Sequence, residues 1–517
     1  MPPSTVLRYS LCAVLAAIGL QTIAILVLNS GHLVFTIDDA YIHLALAENL
    51  LRGHYGVNLT EFSAPASSIL WPFLIAPVSG LPIADYCLLV FNAACALGTV
   101  CVLWRVLVSP GPGASPGGLP PRTLSLWMAV LVLACNLIGL VFLGMEHSLQ
   151  VLLTSLIVLG LVQETQTRTA PWWLVAVLVA APVIRYENAF LAGPAIVYLF
   201  LRSHRTKAVV AAVLAALPVL AFGAFLSSHQ SGFLPTSVVA KSGFRGLRGI
   251  VALLGETLKT NLDSSQGVLL ACGIPILAVA ALARGRDAGE RLFAAVVATG
   301  IAAHLLSGKT GGFGRYESYI WGALVLAIAH LYKGPLGRFT QSLGAWRSAA
   351  VAGLGLAATC LPYTAIAVLT PLASNNIYEQ QYQMHRFAAD YLKAVVAVND
   401  LGLVSYRNPR YVLDLAGLAS KEAFATRWQS GNDGWMQQLA GRYDAKVAMI
   451  YDDWFRSIPR EWVRVAELRL GKPRIATSRS VVGIYVIAPG ETGRVRGLLA
   501  EFAKTLPADV TLVSAPN

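Results

Sequence analysis

The stretch YSLCAVLAAIGLQTIAILVLNSGHLVFTIDDAYIHLALAEN (9–49) decides the class of fold, because it joins a long apolar run to two adjacent acids. Residues 9–29 are almost all apolar, and about 20 such residues are enough to cross a bilayer. The segment before them is weakly charged, and no small-residue cleavage site follows. The pattern therefore predicts a membrane anchor, not a cleavable signal peptide, with Asp38 and Asp39 just beyond the membrane.

The same apolar character continues through most of the 517-residue chain. Hydrophobic residues make up 56% of it and charged residues 13%, whereas about 25% of an ordinary soluble protein is charged. This composition excludes a soluble enzyme, a disordered chain and a coiled coil. The net charge of +12 is not gathered into a dense basic run, so we expect a lipid bilayer as a partner and no nucleic acid.

Apolar runs of membrane-spanning length recur along the chain and predict an α-helical polytopic membrane protein of about eleven spans. One shorter apolar stretch, 66–82, is interrupted by three prolines, which predicts a re-entrant or interfacial segment. The predicted spans are 9–29, 84–104, 123–143, 147–163, 171–185, 188–201, 208–227, 268–283, 291–307, 318–332 and 348–370.

Charge asymmetry predicts the orientation of these spans. With the N-terminus inside, the inside segments hold 13 basic and three acidic residues, which is the positive-inside pattern. Eleven spans then place the C-terminus outside. All seven cysteines fall within predicted spans, so we expect neither a disulfide framework nor a thiolate zinc site.

The sequence pattern changes after residue 370, where long apolar runs give way to short segments. Short β-branched runs at 446–452 and 481–487 predict strands, while 378–394 and 500–506 have helical character. The sequence therefore predicts two domains. Residues 1–370 form the membrane domain, with outer loops 30–83 and 228–267, and residues 371–517 form a soluble α/β domain on the outer face.

Ionisable residues from five distant segments are predicted to meet at that outer face. Such groups are costly near lipid and are therefore functional candidates. Adjacent side chains point apart on regular structure, so Asp38 and Asp39 have separate partners, although Asp39 capping a helix at Ala40 is an alternative. The other candidates are His43, Glu48, Glu146, His147, Arg185, Glu187, Lys241, Arg315, Tyr316 and Glu317.

The tripeptide Arg-Tyr-Glu occurs at two predicted span ends, 185–187 and 315–317. These arginines and glutamates could form structural ion pairs that hold helices together. Alternatively, the guanidinium groups could clamp a phosphate by parallel hydrogen bonds, since arginine matches phosphate geometry and stays charged.

The sequence TIDDAYIHLALAENLLRGHYGVN (36–58), followed by SAPASSILWP (63–72), resembles the opening of the GT-C integral-membrane glycosyltransferases. These include mannosyl, aminoarabinose and arabinofuranosyl transferases. The segment VAVNDLGLVSYRNPRYVLDLAGLAS (396–420) is similar to the start of the outer domain in several bacterial members. The resemblance implies a GT-C-like fold in a bacterial inner (plasma) membrane, with its C-terminal domain periplasmic.

The resemblance also implies an inverting transfer from a polyprenyl-phosphate sugar to a hydroxyl of a glycan, lipid or protein acceptor. Asp38 would then be the general base, with Asp39 as the alternative. Arg185, Lys241 and Arg315 would stabilise the leaving phosphate. No cofactor is required, but Asp39, Glu146 and His147 could hold a divalent cation.

Two other functions remain open from the sequence. The first is a transporter or flippase of lipid-linked sugars, which charged residues near the middle of the spans would indicate. The second is a non-catalytic subunit of a polysaccharide assembly system, which would tolerate loss of Asp38. Aromatic and acidic residues of the C-terminal domain could stack on an acceptor glycan or simply pack. These residues are Trp428, Trp435, Tyr451, Asp452, Asp453 and Trp454.

Overall fold

The structure is a computed structural model that describes residues 2–110, 121–242, 250–335, 344–427 and 434–515. Its first part is helical, and its last part folds around a small sheet. The helices of the first part are α1 (Pro3–Leu28), α2 (Asp39–Leu50), α3 (Trp71–Ser79), α4 (Ala84–Val108), α5 (Pro121–Ala134), α6 (Leu137–Val141), α7 (His147–Thr167), α8 (Trp172–Ile184), α9 (Ala189–Leu201), α10 (Arg205–Ser228), α11 (Thr236–Ser242), α12 (Ile250–Leu262), α13 (Ser265–Leu282), α14 (Ala288–Ser307), α15 (Ser318–Leu331) and α16 (Gly344–Glu379).

Within the described residues, six helices are long and apolar enough to cross a membrane, namely α1, α4, α7, α10, α13 and α14. The helices α5, α8, α9 and α15 are apolar but shorter. The long helices also expose apolar side chains; Leu20 and Val27 of α1, for example, are 68% and 76% exposed. The chain is thus a multi-pass membrane protein, while the predicted number of eleven spans stays a prediction.

Two predicted spans differ in detail from the helices observed. The span 123–143 is interrupted at Asn136, which has a left-handed backbone (φ 51°) and separates α5 from α6. The span 348–370 lies inside α16, which continues to Glu379 without a break across the predicted domain boundary. The proline-rich stretch 66–82 contains only the nine-residue helix α3.

The C-terminal part is a six-stranded mixed sheet with helices packed around it. The strand order is β2-β1-β3-β5-β4-β6, parallel among the first three strands and antiparallel among the rest. Its elements are α17 (Gln381–Arg386), a π-helix (Phe387–Leu392), β1 (Val396–Val398), α18 (Gly402–Ser405), β2 (Val412–Asp414), α19 (Lys421–Thr426), α20 (Trp435–Arg442), β3 (Val447–Ile450), β4 (Val463–Arg469), β5 (Val481–Val486), α21 (Thr492–Ala503) and β6 (Thr511–Ser514).

The predicted strands 446–452 and 481–487 correspond to β3 and β5, because both are β-branched runs that the core buries. The predicted helix at 500–506 is the end of α21, which begins earlier, and β6 was not predicted. Trp428 lies outside the described residues, so its predicted role stays a prediction.

The sheet domain rests on the loop that follows α1. The amide of buried Asn58 pairs with the backbone of Val412 in both directions, at 3.0 and 2.9 Å, as a neighbouring strand would. The Tyr406 hydroxyl donates to the carbonyl of Ser79 at 3.0 Å. These contacts hold α18 against the beginning of α2, where the acidic pair lies.

Candidate functional site

The two adjacent aspartates point to different parts of the molecule. Asp38 occupies the N-cap position of α2, but its side chain makes no capping hydrogen bond. Its two carboxylate oxygens instead accept the backbone N–H groups of Gly402 (2.7 Å) and Leu403 (2.8 Å), at the start of α18. The carboxylate of Asp39 pairs with the Arg315 guanidinium at 2.8 Å.

The contact at Asp38 depends on a residue without a side chain. A Cβ atom at position 402 would lie 2.2 Å from the backbone oxygen of Asp38 and 2.7 Å from its carboxylate. No real Cβ contact is that short, so glycine is what allows α18 to approach. The C-terminal domain thus fixes the direction of the Asp38 carboxylate.

A third carboxylate, Asp400, lies close to Asp38. Its oxygen Oδ2 accepts hydrogen bonds from the Gln381 amide (2.8 Å) and from the Tyr451 hydroxyl (2.9 Å). Burial, together with the negative charge of Asp400, raises the pKa of Asp38 to about 8, although the two backbone N–H groups act in the opposite direction. The pKa of Asp38 thus lies closer to neutral pH than that of an ordinary aspartate.

Arg315 lies on the other side of the pair and is 9% exposed. Its Nη2 donates to the Tyr316 hydroxyl at 2.9 Å, and its guanidinium carbon lies 4.8 Å from the centre of that ring. Its Nε is buried and has no hydrogen-bond partner among the described residues. Arg315 is therefore a fixed cation with a remaining donor.

Arg185 has a different environment and is 1% exposed. Its guanidinium contacts Glu146 at 2.6 Å, Glu187 at 2.7 Å and the His147 ring nitrogen at 3.1 Å. It also interacts electrostatically with Arg315. Two carboxylates already occupy the N–H donors of this guanidinium, so the contacts favour the structural ion-pair alternative. A phosphate could bind Arg185 only by displacing one of these carboxylates.

The remaining predicted residues have separate positions. Glu317 is fully buried; it accepts the Gly311 N–H at 2.8 Å and the Tyr363 hydroxyl at 3.1 Å, and so supports the loop before Arg315. His43 is 3% exposed within α2. Glu48 pairs with Arg52 at 2.9 Å, more than two helical turns from the acidic pair. Lys241 belongs to α11, and its side chain lies outside the described residues.

Over the ranges that the structure describes, no three His, Cys, Asp or Glu side chains form a group able to hold a metal ion. Asp39 is paired with Arg315, and Glu146 with Arg185. The three ligands suggested for a divalent cation, Asp39, Glu146 and His147, thus form no such group in this part of the chain.

Asp400 and Gly402 were missed in the sequence, and Tyr451 was considered there only as a residue that could stack on a glycan or pack. The first two lie in the segment NDLG (399–402), within the stretch that resembles the family's outer domain. Their only local signal was an acid followed two residues later by a glycine. Their proximity to Asp38, more than 360 positions away, is a long-range contact that one sequence does not reveal.

Comparison with known proteins gives the following likenesses. Residues 375–485 match the model of a domain of unknown function, DUF8728. No curated protein sequence matches the chain. The archaeal oligosaccharyltransferase AglB from Archaeoglobus fulgidus, solved with an inhibitory peptide and a dolichol-phosphate, is similar with a TM-score of 0.43 at 10% identity, over 98% of this chain and 76% of that one.

The arabinofuranosyltransferase AftD from Mycobacteria is similar with a TM-score of 0.42 at 16% identity. This alignment covers 92% of the present chain and 40% of AftD. AglB and AftD both belong to the GT-C superfamily that the acidic loop resembles.

Proposed function

We propose that this chain is a membrane glycosyltransferase that moves a sugar from a polyprenyl-phosphate donor to an acceptor hydroxyl, on the outer face of a bacterial inner membrane. The observation that carries the proposal is the divergence of the acidic pair. Asp38 is oriented by the N–H groups of Gly402 and Leu403, and Asp39 by buried Arg315. Two adjacent residues thus present the proposed base, Asp38, and hold a fixed cation, Arg315, by an ion pair to Asp39.

Asp38 is the proposed base. The acceptor oxygen attacks the anomeric carbon while its proton passes to the Asp38 carboxylate. The new bond joins the acceptor oxygen to that carbon, and the bond from the carbon to the phosphate oxygen breaks with its electron pair leaving on the phosphate. This single displacement inverts the anomeric centre. The raised pKa of Asp38 suits proton transfer near neutral pH.

Arg315 is the proposed partner of the leaving phosphate. Negative charge accumulates on the phosphate oxygens as the bond breaks, and a cation already fixed in place stabilises that charge without reorganising. The ion pair with Asp39 holds the guanidinium in position and leaves Nε for the phosphate. Arg185 organises Glu146 and Glu187 behind it, and Lys241 stays a second candidate for the phosphate.

The first experiment compares the wild type with Asp38→Asn in membranes that are supplied with polyprenyl phosphates carrying mannose, aminoarabinose or arabinofuranose. Asparagine keeps the shape but removes the basic carboxylate. General-base catalysis is worth about 10²–10⁴-fold, so we expect a loss of that size at equal abundance. The matched control is Asp263→Asn, since Asp263 is an exposed carboxylate on α12's C-terminal side.

Equal transfer by the wild type and Asp38→Asn would refute the assignment of the base and make Asp39→Asn the next variant. Absence of transfer by the wild type from every donor would refute the enzyme itself and favour the transporter. Arg315→Lys separates charge from geometry, because lysine keeps the charge but loses the planar fork. Its transfer rate should fall, with the pH dependence unchanged.

A further inference from the structure

We propose that a second site, remote from the acidic pair, binds a phosphate-type anion. The site is a cavity of about 410 Å³ between the C-terminal half of α2, the loop 57–60 and the segment 405–411. It begins near Ala45 and extends past Arg52. At about 1.5 Å per helical residue, its centre is well over 10 Å along α2 from Asp38.

The charge of this cavity defines the class of its ligand. Three arginines line it, Arg52, Arg407 and Arg410, against a single carboxylate, Glu48. Glu48 contacts only Nη2 of Arg52. The side chain of Arg410 makes no hydrogen bond or ion pair within the described part of the chain. Guanidinium groups bind phosphate through paired N–H donors, so an anion with several oxygens fits this lining.

A second observation points to the same ligand. Ser405 lines the cavity and is 7% exposed, yet its buried hydroxyl has no hydrogen-bond partner among the described residues. A buried hydroxyl without a partner costs free energy. An anion in the cavity would accept the hydrogen of Ser405 and the N–H groups of the arginines together.

The rim of the cavity favours a lipid as the source of the anion. Leu59 lines the cavity and is 49% exposed, and Leu51, beside Arg52, is 57% exposed. Exposed leucines beside arginines suit the boundary between acyl chains and headgroups. The cavity would hold the phosphate of a membrane lipid, with the leucines against its chains. Free inorganic phosphate is the other source of the same chemistry.

The test measures binding to the detergent-purified full chain by native mass spectrometry, with no sugar transfer involved. The probes are phosphatidylglycerol, phosphatidylcholine and inorganic phosphate. Loss of one charge-assisted hydrogen bond weakens binding by about tenfold or more, so Arg410→Ala and Ser405→Ala should each bind the anion that much more weakly. Arg460→Ala, an exposed arginine of the same domain, should bind as the wild type does.

Preference for phosphatidylglycerol over phosphatidylcholine, lost in both variants, would support the site with a lipid source. Binding of inorganic phosphate alone, lost in the same variants, would support the site with a soluble source. Equal binding by the wild type, Arg410→Ala and Ser405→Ala, or no anion binding by the wild type, would overturn the inference. Because transfer is not measured, these outcomes do not depend on whether the proposed enzyme activity is correct.

Discussion

At the scale of single residues, Asp38 and Asp39 are chemically alike but have different surroundings. Asp39 pairs with a guanidinium, which stabilises its charged form. Asp38 faces the carboxylates Asp39 and Asp400 and the phenols of Tyr41 and Tyr451. Burial and the nearby negative charge disfavour its charged form. The raised pKa of Asp38 suits a group that must accept and release a proton.

The pH dependence of transfer follows from this difference. A base works only when deprotonated, so below the raised pKa of Asp38 the rate should fall about tenfold per pH unit. We expect the rate to rise with pH along one limb, to be half maximal near pH 8, where burial and Asp400 place the pKa of Asp38, and to level off above that. The measurement is kcat/KM for the acceptor between pH 5 and 9, with each rate checked at saturating donor.

Asp400→Asn tests the cause of that limb. The substitution removes a negative charge beside Asp38 and keeps the shape, so the pKa of Asp38 should fall and the limb should move to lower pH. Asp263→Asn should leave the profile where it is. An unchanged profile in Asp400→Asn would mean that Asp38 is not the titrating base.

The candidate residues could be found in the sequence because they are ionisable groups at the ends of apolar runs. Their pairing could not. Arg185 and Arg315 head the same tripeptide, yet Arg185 is held between two glutamates and Arg315 retains a donor. Which carboxylate reaches which arginine depends on helix packing, and packing is a property of distant segments together.

At the scale of elements, the site depends on how closely α18 approaches α2. The approach is possible because position 402 has no side chain. Backbone amides at the start of α18 then serve as fixed donors for Asp38, and Asn58 and Tyr406 hold the surrounding segments in place. The sheet domain thereby orients the Asp38 carboxylate, which is the proposed base.

Gly402→Ala tests this approach. The added methyl group would lie within 3 Å of Asp38, so α18 must move. The hydrogen bonds from the N–H groups of Gly402 and Leu403 to the carboxylate then weaken. Overpacking typically costs about 1–3 kcal/mol, and we expect transfer to fall at least tenfold through a changed kcat. The measurement is steady-state transfer together with the thermal unfolding midpoint.

The control for this substitution is Gly497→Ala. A Cβ atom at position 497, within α21, meets nothing within 4 Å, and alanine is the better helix former. This variant should keep full activity and equal or higher stability. Full activity in Gly402→Ala would show that the contact between α18 and Asp38 is not needed for catalysis.

The elements themselves were largely predictable, and the exceptions have physical reasons. Apolar length located the long helices, because a bilayer imposes that length. It did not locate the break at Asn136, because hydropathy does not report the backbone conformation of a single residue. Hydropathy also does not show that α16 continues past residue 370 to Glu379, where the polar residues Ser374, Asn375 and Glu379 are buried.

At the scale of the whole molecule, contacts predict that the two termini lie on opposite sides of the membrane, whatever the number of spans between them. One candidate span, α1, separates the N-terminus from the loop that carries Asp38. That loop is hydrogen bonded to the C-terminal domain through Asp38 and Asn58. With α1 crossing the membrane, we expect the domain and the loop to share one side and the N-terminus to lie on the other.

The distribution of basic residues predicts which of these two sides is the cytoplasm. The 13 basic residues assigned to the N-terminal side favour the cytoplasm. Alkaline phosphatase fused after residue 517 should be active and green fluorescent protein at the same place dark. Fusions after residue 109, beyond α4, should give the reverse. If the reporter results at residues 109 and 517 are both reversed, the orientation is inverted but the site is unaffected. If the same reporter is active at both points, the Asp38 loop and the sheet domain lie on opposite sides of the membrane, which contradicts the site itself.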